Sequence, residues 1–430
     1  MSSRPITDDD LDLLLANEFV EELEAEDEED EDAELAFLAA FILGGAAEAQ
    51  QMKHDARRRR YLRRAELLPD PQRPGGTPWQ RLYESRNDRA YITTMGIDVA
   101  TFDFILENGF TVKWITRPIK RSDIRASATP RPRRRSLDAA GALGLVLHWL
   151  SSSMSELGLQ QIFALTPASV DRYLRSAINI LLETLNALSD AKVVWPTPRE
   201  MREYSDIITQ RHPLLIGAFG TVDGLNLPVQ VSQDEEIENA TYNGWLHEHF
   251  VSNIFCFAPK GFVIFCVLNA PGSWHDARVA RELYELLCDK TPPNFYLVAD
   301  TAFPRTAASI SNRIRTPAKS SDPIPTNRRE RERFQRMNRQ LLACRQAAEW
   351  GMRDFQGAFG RLRVPLPIKD SDLRLSLLRL VVRIHQLRVR RVGISHIRNY
   401  YVPIWRDGDD LTELWFHWEE MLFRDIRTIE

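Results

Sequence analysis

Three carboxylates in this 430-residue chain stand where an apolar run or a helix would hold them in place. Asp223 lies in LLIGAFGTVDGLNLPVQV (214–231), where the pattern reads as a buried strand ending in an acid followed by Gly224. Asp300 closes a second apolar run, NFYLVAD, and Glu349 lies within CRQAAEWGMRDFQGAFGRL, which reads as a helix. A fourth acid, Asp276, follows His275 in PGSWHDARV, and Arg345 precedes Glu349 by four residues, the spacing at which two helical side chains meet. Carboxylates brought together repel, and one stays protonated unless a cation balances them. A hard, oxygen-seeking ion such as Mg²⁺ or Mn²⁺ is the natural partner. Two such ions about 3.5–4 Å apart can activate a water or a 3′-hydroxyl against a phosphodiester, with no nucleophilic side chain required.

The elements that must position these acids follow from the pattern. From residue 214 the chain reads as strands, with WLHEHFVSNIFCFAP (245–259) and GFVIFCVLNAPG (261–272) joined as a hairpin at Pro259-Lys260-Gly261. HDARVARELYELLC predicts a helix, NFYLVAD a strand, and residues 328–359 a long, highly charged helix. Strands interleaved with helices imply an α/β sheet with parallel and antiparallel members, flanked by helices. Ahead of it, residues 79–116 predict helix ending on Gly109, and 193–207 a Pro-broken linker. The expected organisation is an acidic leader over 1–52, a basic helical domain over 53–200, the catalytic α/β domain over 201–370 and C-terminal helices over 371–430 that pack on the core.

Composition narrows the class. No run approaches the roughly 18 apolar residues of a membrane span, and the start lacks a secretory layout. Four cysteines (Cys256, Cys266, Cys288 and Cys344) show no CxxC pairing, which fits small core residues rather than a zinc module. The net charge of -4 hides a polarity: residues 1–35 hold 16 acids and one base, which leaves +11 for the rest. A basic body attracts polyanions.

Nucleic-acid contacts are expected at three places. KHDARRRRYLRR (53–64) reads as a nuclear address or a phosphate patch, so the nucleus is the expected location. In the Pro-broken stretch from Arg117 to Ser136, Arg131, Arg133, Arg134 and Arg135 lie too close together to find individual acids and suit phosphates. LQQIFALTPASVDRYL has the order of a helix-turn-helix, with Thr166 as cap, Pro167 at the first helical position, and Arg172 and Arg175 on the second helix.

The order GTVDG, NAPGSWHDARV, LVADTAFP and RQAAEWGMRDFQGAFGRL resembles the transposases of the PIF/Harbinger group and the nuclease-like proteins derived from them, over about residues 214–390. The resemblance implies an RNase H-like fold with an Asp-Asp-Glu triad and a divalent metal, Mg²⁺ or Mn²⁺. By position it implies Asp223, Asp300 and Glu349 as catalytic metal ligands, Asp276 as a fourth acid, and His275 and Arg345 in support. DNA is the implied partner, with a Myb-like protein and a second copy of the chain as further ones. Where the family carries an Arg-Lys pair, TYNGWLHEHF supplies His247 and His249, which are expected on one face of a strand, and Arg361 or Arg363 stands where a Lys is common. The alternative expectation is a domesticated factor that keeps the fold, binds DNA or protein, and has stopped cutting.

Overall fold

The computed structural model describes residues 76–119, 129–244, 246–304, 310, 312–319 and 322–402. The acidic leader, the cluster at 53–64 and the C-terminal aromatic stretch lie outside the described residues, all of which belong to one unit, Ala56–Pro403.

Eight helices precede the sheet among the described residues: α1 (Pro78–Ser85), α2 (Asp88–Met95), α3 (Val99–Ile105), α4 (Thr111–Thr116), α5 (Ala139–Ser151), α6 (Glu156–Phe163), α7 (Pro167–Ala187) and α8 (Pro198–Arg211). Gly109 ends its helix as expected: Asn108 and Gly109, the latter with φ 115°, leave helical geometry, and the chain kinks there into α4. One expectation is corrected here. The expected linker at 193–207 contains the start of α8. Thr197 and Glu200 form a capping box around Pro198, which occupies the first turn of the helix, where a missing N–H costs nothing.

The sheet holds β1 (Ala218–Pro228), β2 (Tyr242–Asn243), β3 (Glu248–Phe257), β4 (Val263–Pro271), β5 (Tyr296–Ala299) and β6 (Ile314–Arg315). β3 lies between β1 and β4, antiparallel to both, and β2 pairs with the start of β3; β5 and β6 extend the other edge in parallel. Interleaved with the strands are α9 (Glu235–Thr241), α10 (Asp276–Val279) and α11 (Arg281–Asp289). After them come α12 (Arg328–Ala358), α13 (Ser371–Leu387) and α14 (His396–Tyr401). This mixed sheet flanked by helices is the expected α/β, RNase H-like architecture.

The period of two along each strand sorts side chains to two faces. Leu225, Leu227, Phe255, Phe257, Tyr296 and Val298 share a core with α5, α7, α12 and α13. Phe219, Val222, Ile254, Cys256, Leu297 and Ala299 face Met201 and Tyr204 of α8 and Leu283 and Leu287 of α11. α12 approaches β3 so closely that a Cβ on Gly351 would lie 2.5 Å from the Phe257 ring, so glycine sets the height of α12 above the sheet.

Two imidazoles are sealed in the larger core. His148 of α5 stands edge-on to Trp79 and Phe163, and His385 of α13 packs on Phe257 and Phe355. Burial pushes both down to about 4 from 6.5. A depressed folded value means stability that is present above the unfolded value and lost as pH falls through the folded one. Each histidine therefore removes up to about 3 kcal/mol between pH 6.5 and 4. Urea unfolding across that window should show the loss, and a His148→Leu/His385→Leu variant should have a shallower pH slope.

Candidate active site

Asp223 lies in the middle of β1, not at its end. The strand continues through Gly224 to Pro228 because Leu225 and Leu227 keep the buried alternation going on the same face. In the parallel pairing of β1 with β5, Val222 stands opposite Ala299, so Asp223 and Asp300 follow side by side, one residue further along each strand. Both share the parity of their strands' α12-facing residues: Leu225 and Leu227 on β1, Tyr296 and Val298 on β5.

Glu349 comes down onto this pair from α12. Arg345, one turn earlier, donates to the Glu349 carboxylate at 2.5 Å and reaches Asp300 at 3.8 Å. One guanidinium thus ties the helix acid to the acid at the end of β5. Asp276 arrives from the opposite side, at the start of α10, where a Cβ on Gly224 would lie 2.8 Å from its Oδ2. The glycine after Asp223 lets this fourth carboxylate approach the strand.

The electrostatics record the crowding. Burial pushes the Asp223 carboxyl up to about 6; the Gly224 N–H and Arg345 oppose this, and Asp300 and Asp276 add to it. Burial also raises Asp276, with His275 opposing and Asp300 adding. Asp223 Oδ1 accepts the Gly224 N–H at 2.8 Å. His275 caps α10, its Nδ1 accepting the Ala277 N–H at 3.4 Å. Among the described residues, no three Asp, Glu, His or Cys side chains stand close enough as placed to hold a metal ion. The donor chemistry nevertheless fits a hard cation: carboxylates alone, two of them shifted upward by burial and by their acidic neighbours, and two paired with Arg345.

The residues expected to meet DNA are placed variously. Arg131, Arg133 and Arg134 are exposed around a short 3₁₀ turn. Arg135 is turned inward, donating to the carbonyls of Trp114 and Arg117 and stacking on the Trp114 ring at 4.9 Å. α6, a left-handed Ala164 and α7 form a helix-turn-helix corner. On α7, Arg172 donates to the Ala168 carbonyl at 2.6 Å, and Arg175 bridges Asp171 at 2.9 Å and Asp370, the cap of α13, at 3.1 Å. These arginines line a groove of about 930 Å³ between α7 and the start of α13.

His247 and His249 do not share a strand face. His247 takes φ 56° in the turn before β3, its Nδ1 3.3 Å from the Tyr242 hydroxyl, while His249 pairs with Thr241 at 3.1 Å. Arg361 donates to the Trp149 and Met154 carbonyls and serves the helical layer. Sequence reasoning missed Arg345's bridge to Asp300, which no spacing within α12 could reveal.

A parallel strand pair thus presents two acids beneath a helix that carries a third, within an α/β domain. Residues 222–386 match the family described as DDE superfamily endonuclease. The match opens next to Asp223, encloses Asp300 and Glu349 and ends within α13. No curated protein and no solved structure matches the chain.

Proposed function

We propose that the chain is a metal-dependent DNA endonuclease of the transposase kind, related to the PIF/Harbinger group, that cuts phosphodiesters by an Asp-Asp-Glu two-metal mechanism. The observation that carries this reading is the convergence of Asp223, Asp300 and Glu349 from two parallel strands and α12 on one face of the sheet. Asp223, Asp300, Glu349 and Asp276 are the residues to hold Mg²⁺ or Mn²⁺, which when bound would supply Lewis-acid activation of the attacking and leaving oxygens. A bound cation would offset the cost of burying the ionised Asp223 carboxylate, which burial and its acidic neighbours hold above the ordinary range. Arg345 holds Glu349 and Asp300 at fixed spacing and presents a guanidinium edge to a phosphate. The exposed Arg131, Arg133 and Arg134 suit backbone phosphates, as do Arg172 and Arg175 at the mouth of the α7 groove. Nuclear residence, a Myb-like partner and self-association belong to the same reading and rest on the basic stretches and the family resemblance.

The test is cleavage of supercoiled DNA with Mg²⁺ or Mn²⁺, wild type against Asp223→Asn. Equal cutting by both removes the assignment. One observation favours the domesticated, non-cleaving alternative: Arg345 already satisfies two of the acids. Binding without cutting in either metal would establish it.

Gly224→Ala probes the fourth acid. The added methyl meets only the end of the Asp276 side chain, which can swing away, so the melting temperature should hardly move. Cleavage should fall about 10–100-fold, the scale on which supporting groups of a metal site act. Unchanged cleavage would remove Asp276 from the site.

A further inference from the structure

The first half of α12 leaves the body of the protein. The helix runs for 31 residues, yet its first buried side chain is Leu341, and every residue from Arg328 to Gln340 is exposed or half-buried. Arg328–Arg339 contains six arginines and two glutamates, a net +4. Among the described residues, the ion pair these arginines make is Arg328 with Glu332 at 3.0 Å, and the Arg328 side chain is 91% exposed. Met337 packs against the core and Asn338 accepts the Ala318 N–H, but the six arginines, which concentrate one sign of charge, have no account in the packing of the fold.

The direction of the helix gives one. At about 100° per residue, Arg331 falls on the same line of the helix as Glu349, and Arg328 and Arg339 lie within about 80° of that line. The buried row of Leu341, Ala348, Met352 and Phe355 falls on the opposite flank. With a rise of about 1.5 Å per residue, the stripe extends roughly 32 Å outward from Glu349. That equals about nine base pairs of duplex at 3.4 Å each.

We infer that the projecting half of α12 is a rail for the DNA flanking the cut, with Arg328, Arg331 and Arg339 on backbone phosphates and the same helix ending in the site. This rests on the endonuclease reading above and deepens it. The helix that brings an acid to the scissile bond also fixes the direction of the duplex leaving it. The contacts are to phosphates, so the rail sets register and orientation and reads no sequence.

The experiment compares wild type with Arg328→Gln/Arg331→Gln/Arg339→Gln in binding a duplex of about thirty base pairs over a salt series. Each lost phosphate contact lowers the slope of log K against log salt by about 0.9, so the triple variant should lose about 2–3 from the slope. Arg331→Glu alone should weaken binding more than Arg331→Gln. All three residues are exposed, with Arg331 also donating to the Pro325 carbonyl at 3.1 Å, and glutamine is a good helix former, so the variants keep the fold. A hydroxyl-radical footprint supplies a second readout: the tract protected to one side of the cut should shorten by about nine base pairs. A wild type that binds and cuts, with the variant keeping its slope and footprint, overturns the rail and leaves the nuclease standing. A wild type that neither binds nor cuts DNA with either metal overturns the nuclease reading and the rail with it.

Discussion

Asp223→Asn will melt at a higher temperature than the wild type in metal-free buffer at pH 7.5, and will cut DNA at less than about 1% of the wild-type rate with Mg²⁺. The two effects have one cause. The Asp223 carboxyl is pushed up from 3.8 to about 6, first by burial and then by its acidic neighbours. A raised folded value means that the stabilising contribution is complete below the unfolded value and is lost as pH rises through the folded one. Above pH 6 the ionised side chain therefore works against the fold, by about 3 kcal/mol for a shift of some two units. Asparagine carries no charge at any pH and can keep the hydrogen bond from the Gly224 N–H. The gap in stability between the two proteins should be wide at pH 7.5 and close by pH 4.

Metal closes most of this gap. A ligand that binds only the folded state adds about 2.7 kcal/mol at one hundred times its dissociation constant. Wild type should rise by several degrees on adding Mg²⁺ or Mn²⁺, and Asp223→Asn should not, because it has lost both a ligand and the charge that attracts the ion. The loss of cutting follows: supporting groups of metal sites alone change activity about 10–100-fold, and a ligand should exceed that. A variant less stable than wild type at pH 7.5 would show that Asp223 is satisfied where it stands. A variant stabilised by metal as much as wild type would show that the ion sits elsewhere.

Much of this site is legible in the sequence. Apolar runs meeting Asp223 and Asp300, and the charged helix carrying Glu349, are visible because buried strands and long helices leave strong periodic signals. The pairing of β1 with β5 is not, since two parallel strands joined through a hairpin and helices leave no local trace of their register. Gly224 misled: after an acid it reads as a turn, whereas its lack of a side chain answers a residue 52 positions later, Asp276. Pro198 misled likewise, marking the first turn of a capped helix. His247 and His249 show the limit of strand parity, which holds only once the strand has begun, and β3 begins at Glu248. The inward turn of Arg135 is a tertiary fact, set by the carbonyls of Trp114 and Arg117.

Asp354→Ala should cost about 2–3 kcal/mol, the scale for losing hydrogen bonds to a buried charged acceptor. Asp354 lies on α12 five residues beyond Glu349, with 6% of its side chain exposed. It accepts the backbone N–H of His396 at 3.0 Å and a second hydrogen bond from that residue's Nδ1. Burial pulls its carboxyl upward, yet the His396 hydrogen bonds, with His396 and His385 nearby, carry it below its ordinary value. A depressed carboxyl stabilises above its unfolded value and loses that contribution as pH falls through the folded one. The penalty should therefore be full at neutral pH and shrink in acid, below about pH 4. Asp354→Asn keeps an acceptor for the His396 N–H and should lose less, about 1–2 kcal/mol. The consequence reaches the site because α12 has two anchors near Glu349: the close contact of Gly351 with Phe257, and this tether to the start of α14. With the tether gone, the end of α12 is free to shift and Glu349 with it, so cutting should fall in Asp354→Ala and be largely kept in Asp354→Asn. Equal urea midpoints for Asp354→Ala and wild type at pH 7 would show that α14 does not hold the helix.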